Sequence, residues 1–336
     1  MYKINCTLLY FSMKILLTGG LGYIGSHIAH LVGSSAVIID NLSNSKLNYK
    51  KFLPKAVVFK RDLNQSLLKK IFSQYDIQGV IHLASLKAVN QSIKNPLQYY
   101  NNNVAKSLEM LEAMDKFKIQ KLIFSSSATV YGSLHKSPLN ENLSLQSVNP
   151  YGSTKIIIEQ MIDDYAKSNL KFRAISLRYF NPLGANIEAG LSDQPLGEPQ
   201  NIMPILINKV SDKKIFNIFG NDYPTYDGTC VRDYIHIKDL AKAHILALNK
   251  LNKFKGHTKI NIGLGRGISV LDLISAFEKV NNIKVDYKIA NRRMGDAAVS
   301  YASNQKAKKL LNWKPKYTIQ EMVKDAWEAH KKKFKQ

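Results

Sequence analysis

Hydrophobic and polar positions along the chain follow two periods. Short apolar runs read as strands buried on both faces: Ile15-Leu16-Leu17, Ala36-Val37-Ile38-Ile39, Ala56 to Phe59, Gly79 to Leu83, Leu122-Ile123-Phe124 and Arg173 to Arg178. Between them, apolar residues recur at helical spacing over Gln65 to Gln74, over Asn101 to Phe117 (Val104, Leu108, Leu111, Met114) and over Tyr151 to Ser168. Strands alternating with helices predict an α/β fold with a doubly wound parallel sheet and right-handed crossovers. Ligands of such sheets sit outside the carboxyl ends of the strands, so chemistry is expected there.

Beyond Arg178 the texture changes. Residues 181 to 230 are rich in proline and glycine, with one clear helix over Ile202 to Ser211. A strand at Lys259-Ile260-Asn261-Ile262, a helix over Val270 to Val280 and a tail helix over Ile319 to Lys333 follow. The chain therefore divides into an N-terminal extension (1–12), a doubly wound domain (13–182) and a smaller, loop-rich C-terminal domain (183–336), from which segments near 231–262 return to the first. A length of 336 residues suits two domains. Residues 1 to 12 precede a second methionine, Met13, and lack the charged start and small-residue cleavage site of a signal peptide.

The first strand runs into Thr18-Gly19-Gly20-Leu21-Gly22-Tyr23-Ile24-Gly25. Two glycine registers, Gly20, Gly22, Gly25 and Gly19, Gly22, Gly25, both suit a tight turn whose backbone approaches a pyrophosphate at a helix N-terminus. Asp40 ends the second apolar run twenty residues after Gly20, where a carboxylate would bind a ribose. Its charge would repel a 2′-phosphate, so the pattern predicts NAD rather than NADP as cofactor.

Composition narrows the picture. No apolar run reaches the roughly 18 residues that span a bilayer, so no membrane partner is expected. Cys6 and Cys230 are the only cysteines, which suits a reducing, cytoplasmic compartment; neither they nor His82 and His236 have the neighbours of a metal site, and Cys230 reads as a small buried apolar residue. The net charge of +23 comes from lysines spread along the chain, densest at Lys306, Lys308, Lys309 and Lys331 to Lys333. That reads as solvated surface rather than a nucleic-acid face, and it would attract an anionic nucleotide.

Three strand ends carry candidate chemistry: Ser125-Ser126-Ser127, Asn149-Pro150-Tyr151-Gly152-Ser153-Thr154-Lys155, and Tyr179-Phe180-Asn181-Pro182. With Asn149 as cap and Pro150 in the first turn, Tyr151 and Lys155 share one face near a helix N-terminus. A tyrosine must drop roughly 3 units from its free pKa to act as a base near neutrality, and a nearby ammonium, a helix N-terminus and a cationic ring all push that way. Ser127 could hydrogen-bond the same substrate oxygen.

Six motifs in order resemble the NAD-dependent sugar-nucleotide epimerases of the extended short-chain dehydrogenase/reductase family. They are the glycine turn through Ser26-His27, Asp40 to Ser45, Phe124 to Gly132, Tyr151 with Lys155, Arg178 to Pro182, and Val231-Arg232-Asp233-Tyr234-Ile235-His236, and the resemblance spans about residues 13 to 330. It implies a Rossmann sheet topped by a UDP-sugar domain, a homodimer built on helices near 101–117 and 152–168, and isomerase chemistry. That chemistry is reversible C4 epimerisation of a UDP-hexose, UDP-glucose to UDP-galactose, by transient hydride transfer to bound NAD+ through a 4-keto sugar.

Carried over by position, Ser127, Tyr151 and Lys155 would be catalytic. Gly19, Gly22, Tyr23, Ile24, Gly25, Asp40, Asn41, Leu42, Ser43, Asn44, Ser45, Asp62, Leu63, Leu83, Ala84, Ser85, Leu86, Lys87, Asn102 and Phe180 would line the NAD site. Asn181, Asn201, Arg232, Arg293 and Asp296 would hold the UDP, and planar guanidinium donors suit a diphosphate.

A related 4,6-dehydratase would need an Asp-Glu pair after the serine, where this chain has Ala128 and Thr129. The aligned position that limits the sugar carries small Ser300, with Tyr301 next to it, which points to UDP-N-acetylglucosamine as an additional or alternative substrate. A non-catalytic NAD-binding or nucleic-acid-binding protein would lack the Tyr or Lys of the set, or carry a basic stripe; neither is apparent in the sequence.

Overall fold

The computed structural model describes residues 14–293 and 295–334. The N-terminal extension, Met13 and Cys6 lie outside the described residues. Strands β1 to β7 are Lys14–Thr18, Ala36–Asp40, Val57–Lys60, Ile77–His82, Lys121–Ser127, Arg173–Tyr179 and Asn181–Leu183. Strands β8 to β14 are Phe216–Phe219, Val231–Arg232, Tyr234–His236, Gly256–Ile262, Ile268–Ser269, Tyr287–Ala290 and Val299–Ser300. Helices α1 to α6 are Tyr23–Val32, Tyr49–Phe52, Gln65–Gln74, Val89–Lys94, Pro96–Tyr99 and Lys106–Lys116. Helices α7 to α11 are Pro150–Ser168, Ile202–Ser211, Ile237–Lys250, Val270–Asn281 and Ile319–Phe334.

Seven strands form one parallel sheet in the order β11-β6-β5-β4-β1-β2-β3. Chain order reverses between β1 and β4, and a crevice opens there at the strands' carboxyl ends. Two apolar layers cover the sheet. On one face Ile28, Leu240, Ala243 and Ala247 of α1 and α9 meet Leu17, Ile38, Ile123 and Leu177; on the other Leu68, Met114 and Ile162 of α3, α6 and α7 meet Leu16, Val37, Val80 and Leu122. Successive residues of β1 thus feed opposite cores, as an unbroken apolar strand requires.

Helix α9 has no forerunner in the sequence reading. Its buried residues Ile237, Leu240, Ala241, His244 and Leu248 recur at helical spacing, opposite Lys238, Lys242 and Asn249, so the period that marks it is present in the sequence and was passed over. The stretch expected as one helix from residue 101 opens instead with a π-helical turn over Tyr100–Ala105 that runs into α6. That turn buries Asn103.

The remaining strands build small sheets over the crevice: β12-β9-β14, β13-β8 and β10-β7. A third core, including Leu206, Phe216, Tyr234, Leu273, Phe277, Met322 and Val323, unites α8, α10 and α11 with them. Strand β11 returns from this region to the edge of the seven-stranded sheet beside β6.

Candidate functional site

The glycine turn joins β1 to α1. A Cβ at Gly19, where φ is +70°, would stand 2.7 Å from the Ala84 amide, and one at Gly25 would stand 2.2 Å from the Gly19 carbonyl. Only glycine permits that approach of turn, helix and neighbouring strand end. Gly22 begins α1 without a side-chain cap, leaving first-turn amides to face the crevice. At the end of β2, the Asp40 carboxylate accepts from the Leu21 amide at 2.9 Å and the Leu42 amide at 2.8 Å. Burial raises its pKa, and those amides work against the rise.

One cleft gathers Gly19, Gly22, Tyr23, Ile24 and Gly25 with Asp40, Asn41, Ser43, Asn44 and Ser45, and with Asp62, Leu63, Leu83 to Lys87 and Asn102. Tyr151 and Lys155 close its far end, together with Ser125 and Tyr179. This donor set fits a dinucleotide: a glycine cradle for a pyrophosphate, a carboxylate for a ribose, and apolar walls between. Two of the expected residues point elsewhere. Leu42, at φ +56°, packs on the α1 side of the core, and Phe180 joins Val130, Tyr131, Leu139 and Ala302. Among the described residues no cluster of potential metal ligands occurs.

Helix α7 is built as its sequence asks: Pro150 starts it, and the Asn149 side chain accepts from the Gly152 amide at 2.9 Å. Tyr151 and Lys155 then lie one turn apart over the end of β5. The Lys155 ammonium donates to the Ser125 carbonyl at 2.9 Å and sits 4.9 Å from the Phe124 ring centre and 5.7 Å from that of Tyr151. Ser127, at the last position of β5, has its hydroxyl beside the Tyr151 phenol, where it acts to lower the phenol's pKa, and accepts from the Thr129 hydroxyl at 3.0 Å.

The lowered tyrosine expected from the sequence counts on a cationic ring beside the phenol, which the protein alone does not supply. Burial pushes the Tyr151 phenol up to about 12, against which the Ser127 hydroxyl acts, and burial pushes Lys155 down to about 7, partly offset by Glu159. In the protein alone, burial opposes the charge of both groups, so a phenolate here needs further positive charge from whatever the cleft binds.

A second cleft in the C-terminal region is lined by Asn181, Asn201, Arg232, Arg293 and Asp296, with Phe219, Cys230 and Tyr234. Asp296 bridges the arginines, 3.5 Å from Arg232 and 2.9 Å from Arg293, while the Arg293 guanidinium lies 4.9 Å from the Phe219 ring centre. Asn201 is held by Asp193 at 2.7 Å. Ser300 is half-buried in β14, in register with Arg232 of β9. The clefts are joined through the chain itself, because Tyr179 lines the first and Asn181 the second.

Sequence reasoning missed Glu159 and Asn103 here, and it read His82 as a buried, hydrogen-bonded residue rather than a metal ligand. Glu159, one turn beyond Lys155 on a buried face, pairs with Arg178 at 2.5 Å. Asn103 links the Leu86 backbone, at 2.8 and 3.0 Å, to the Thr154 hydroxyl at 3.1 Å. His82 is held neutral, its pKa pushed by burial to about 3, between the Thr18 hydroxyl at 2.6 Å and the Ser107 hydroxyl at 2.8 Å. A charged residue at i+4 on an apolar stripe was the available signal for Glu159; Asn103 needed contacts between distant segments.

Residues 15–263 match the NAD dependent epimerase/dehydratase family. A UDP-glucose 4-epimerase of Dictyostelium discoideum is 45% identical over 325 residues, covering 94% of each chain. Among solved structures, UDP-glucose-4-epimerase of Stenotrophomonas maltophila, with bound NAD and formylated UDP-arabinopyranose, superposes with a TM-score of 0.92 at 38% identity, covering 96% of this chain and 99% of that one. UDP-glucose 4-epimerase of Bifidobacterium longum, in complex with NAD+ and UDP, gives 0.90 at 36% identity, covering 95% and 98%.

Proposed function

The chain belongs to the NAD dependent epimerase/dehydratase family, and from that premise we propose that it is an NAD-dependent isomerase inverting C4 of a UDP-hexose, interconverting UDP-glucose and UDP-galactose. The observation that carries the reading is the position of Tyr151 and Lys155, at the end of a cleft fit for a dinucleotide whose Tyr179 lies two residues of chain before Asn181 of the cleft lined by two arginines.

Arg232 and Arg293 offer planar donors to the substrate diphosphate, with Asp296 orienting both guanidinium groups. Asn181 and Asn201 complete that grip. Ser127 hydrogen-bonds the sugar 4-oxygen, and Tyr151 takes the proton of the 4-hydroxyl and later gives it back. Lys155, fixed by the Ser125 carbonyl, supplies the ammonium that stabilises the phenolate. When bound, NAD+ supplies the hydride acceptor and a positive charge beside the phenol. Anchoring through the remote nucleotide leaves the hexose few fixed partners, so either face of its C4 can be presented.

Ser300, half-buried in register with Arg232, favours a second reading in which an N-acetylated UDP-sugar is also accepted. The outward apolar residues of α6 and α7 support a homodimer, and the cysteine-poor chain suits a cytoplasmic location. None of the described helices is long and apolar enough to cross a membrane.

The test is to incubate purified protein, without added cofactor, with UDP-galactose and follow UDP-glucose. Wild type should turn over, and Tyr151→Phe should lose about a hundred- to ten-thousandfold in kcat. Undiminished turnover by the variant would refute the assignment.

A further inference from the structure

Beneath the catalytic face of α7 lies a buried polar chain that the reaction as derived does not use. Glu159 and Arg178 are 1% and 2% exposed, and Tyr131 and Asn261 are wholly buried. The Glu159 carboxylate accepts from Arg178 Nε at 2.9 Å, from Arg178 Nη2 at 2.5 Å and from the Ser126 hydroxyl at 2.6 Å. Arg178 Nη1 donates to the Tyr131 hydroxyl at 3.1 Å, which donates to Asn261 Oδ1 at 2.7 Å. Asn261 Nδ2 donates to the Leu139 carbonyl at 2.9 Å. Leu139 ends the path on the segment after β14: its carbonyl accepts from the Ser303 amide at 2.7 Å and its amide donates to the Tyr301 carbonyl at 2.8 Å.

The path therefore runs from the turn after Lys155 to the residues that follow Ser300. Consecutive residues of β5 are gripped by the same helix, Ser125 through its carbonyl by Lys155 and Ser126 through its hydroxyl by Glu159. A buried ion pair is often no more stabilising than an apolar pair of the same volume. Its value here lies in direction, because a bidentate guanidinium and a chain of single-partner hydrogen bonds admit one arrangement where apolar side chains admit several.

We propose that Glu159, Arg178, Tyr131 and Asn261 form a positioning relay that holds the Tyr151 and Lys155 face of α7 in register with the 299–303 segment, whose Ser300 pairs in register with Arg232 of the arginine cleft. The inference rests on the epimerase reading. None of the four is a catalytic residue; each acts through the placement of Tyr151, Lys155 and the sugar-side segment. The Glu159 carboxylate also lies on the Lys155 side of the relay and favours its charged form.

Tyr131→Phe keeps the ring and deletes the oxygen between Arg178 and Asn261. The relay predicts a fall in kcat of about tenfold or more, since small misplacements of reacting groups are costly. UDP affinity and bound NAD should stay as in wild type. Glu159→Gln should move the limb on which activity falls with rising pH to lower pH, because Lys155 loses the charge that opposes its deprotonation. The apolar double variant Glu159→Leu with Arg178→Met separates packing from positioning. Folded protein that binds UDP with kcat still reduced supports the relay, while wild-type kcat in that variant overturns it. Wild-type kcat in Tyr131→Phe overturns it as well, whether or not the Glu159 variants fold. If wild type itself fails to turn over UDP-galactose, the epimerase reading has failed instead.

Discussion

At the scale of single residues, Lys155 and Tyr151 illustrate a site that is incomplete as protein alone. Burial works against the charge of each, so the tyrosine stays protonated and the lysine titrates near 7. The lysine's consequence for stability has a definite sign. Its folded pKa of about 7 lies below the ordinary lysine value of 10.5, so between those values the unfolded chain binds more protons than the native one. Stability of the cofactor-stripped protein then rises with pH across that window, and the cost of the buried ammonium is fully present below it. Lys155→Met removes this dependence. Its melting temperature should exceed that of wild type most at about pH 6 and least at about pH 9, and a gap independent of pH would contradict the burial argument. Ser300 supports a substrate prediction at the same scale: wild type should convert UDP-N-acetylglucosamine, and Ser300→Tyr should abolish that conversion while sparing UDP-galactose, both read by product analysis.

At the scale of elements, α7 organises the site. Its first turn sets Tyr151, its second Lys155 and its third Glu159, and its outer end is clipped to β11 where Asp163 accepts from His257 at 2.9 Å and pairs with Lys259. The Asn149 cap satisfies the Gly152 amide at the end that carries the phenol. Asn149→Ala should therefore cost about 1 kcal/mol in chemical denaturation. It should lower kcat more than it weakens UDP binding, since the frayed turn holds Tyr151 but no arginine. The cap, the proline and the Tyr-Lys spacing were all legible in the sequence, because local hydrogen bonding and helical geometry decide them. Helix α9 was legible as well, through Ile237, Leu240, Ala241, His244 and Leu248 at helical spacing, and was passed over. Asn103 was overlooked for a physical reason: the π-helical turn that buries it has no sequence period of its own.

At the scale of the whole molecule, the two clefts meet because β6 leads directly into β7, handing the chain from the dinucleotide side at Tyr179 to the arginine side at Asn181. The same architecture leaves large apolar side chains outside. Leu108 on α6 is 48% exposed, Ile157 on α7 is 38% exposed and nearby Leu97 on α5 is 82% exposed. A second copy of the chain would cover them as a helical bundle. Leu108→Glu combined with Ile157→Lys should give a monomer by sedimentation while the monomer's near-ultraviolet circular dichroism stays native. A dimer that persists in the double variant would place the interface elsewhere.

The sequence by itself determined the alternation of strands and helices, the glycine turn with its acidic partner at Asp40, and the spacing of Tyr151 and Lys155. Each is set within one or two turns of chain or by a period that burial on known faces imposes. Tertiary structure alone decided that Glu159 meets Arg178, that Leu42 and Phe180 pack against apolar cores, and that burial opposes the charge of both the lysine and the tyrosine. These depend on which distant segments come into contact and on how much water they exclude. Contacts and desolvation of that kind have no period for a linear pattern to carry.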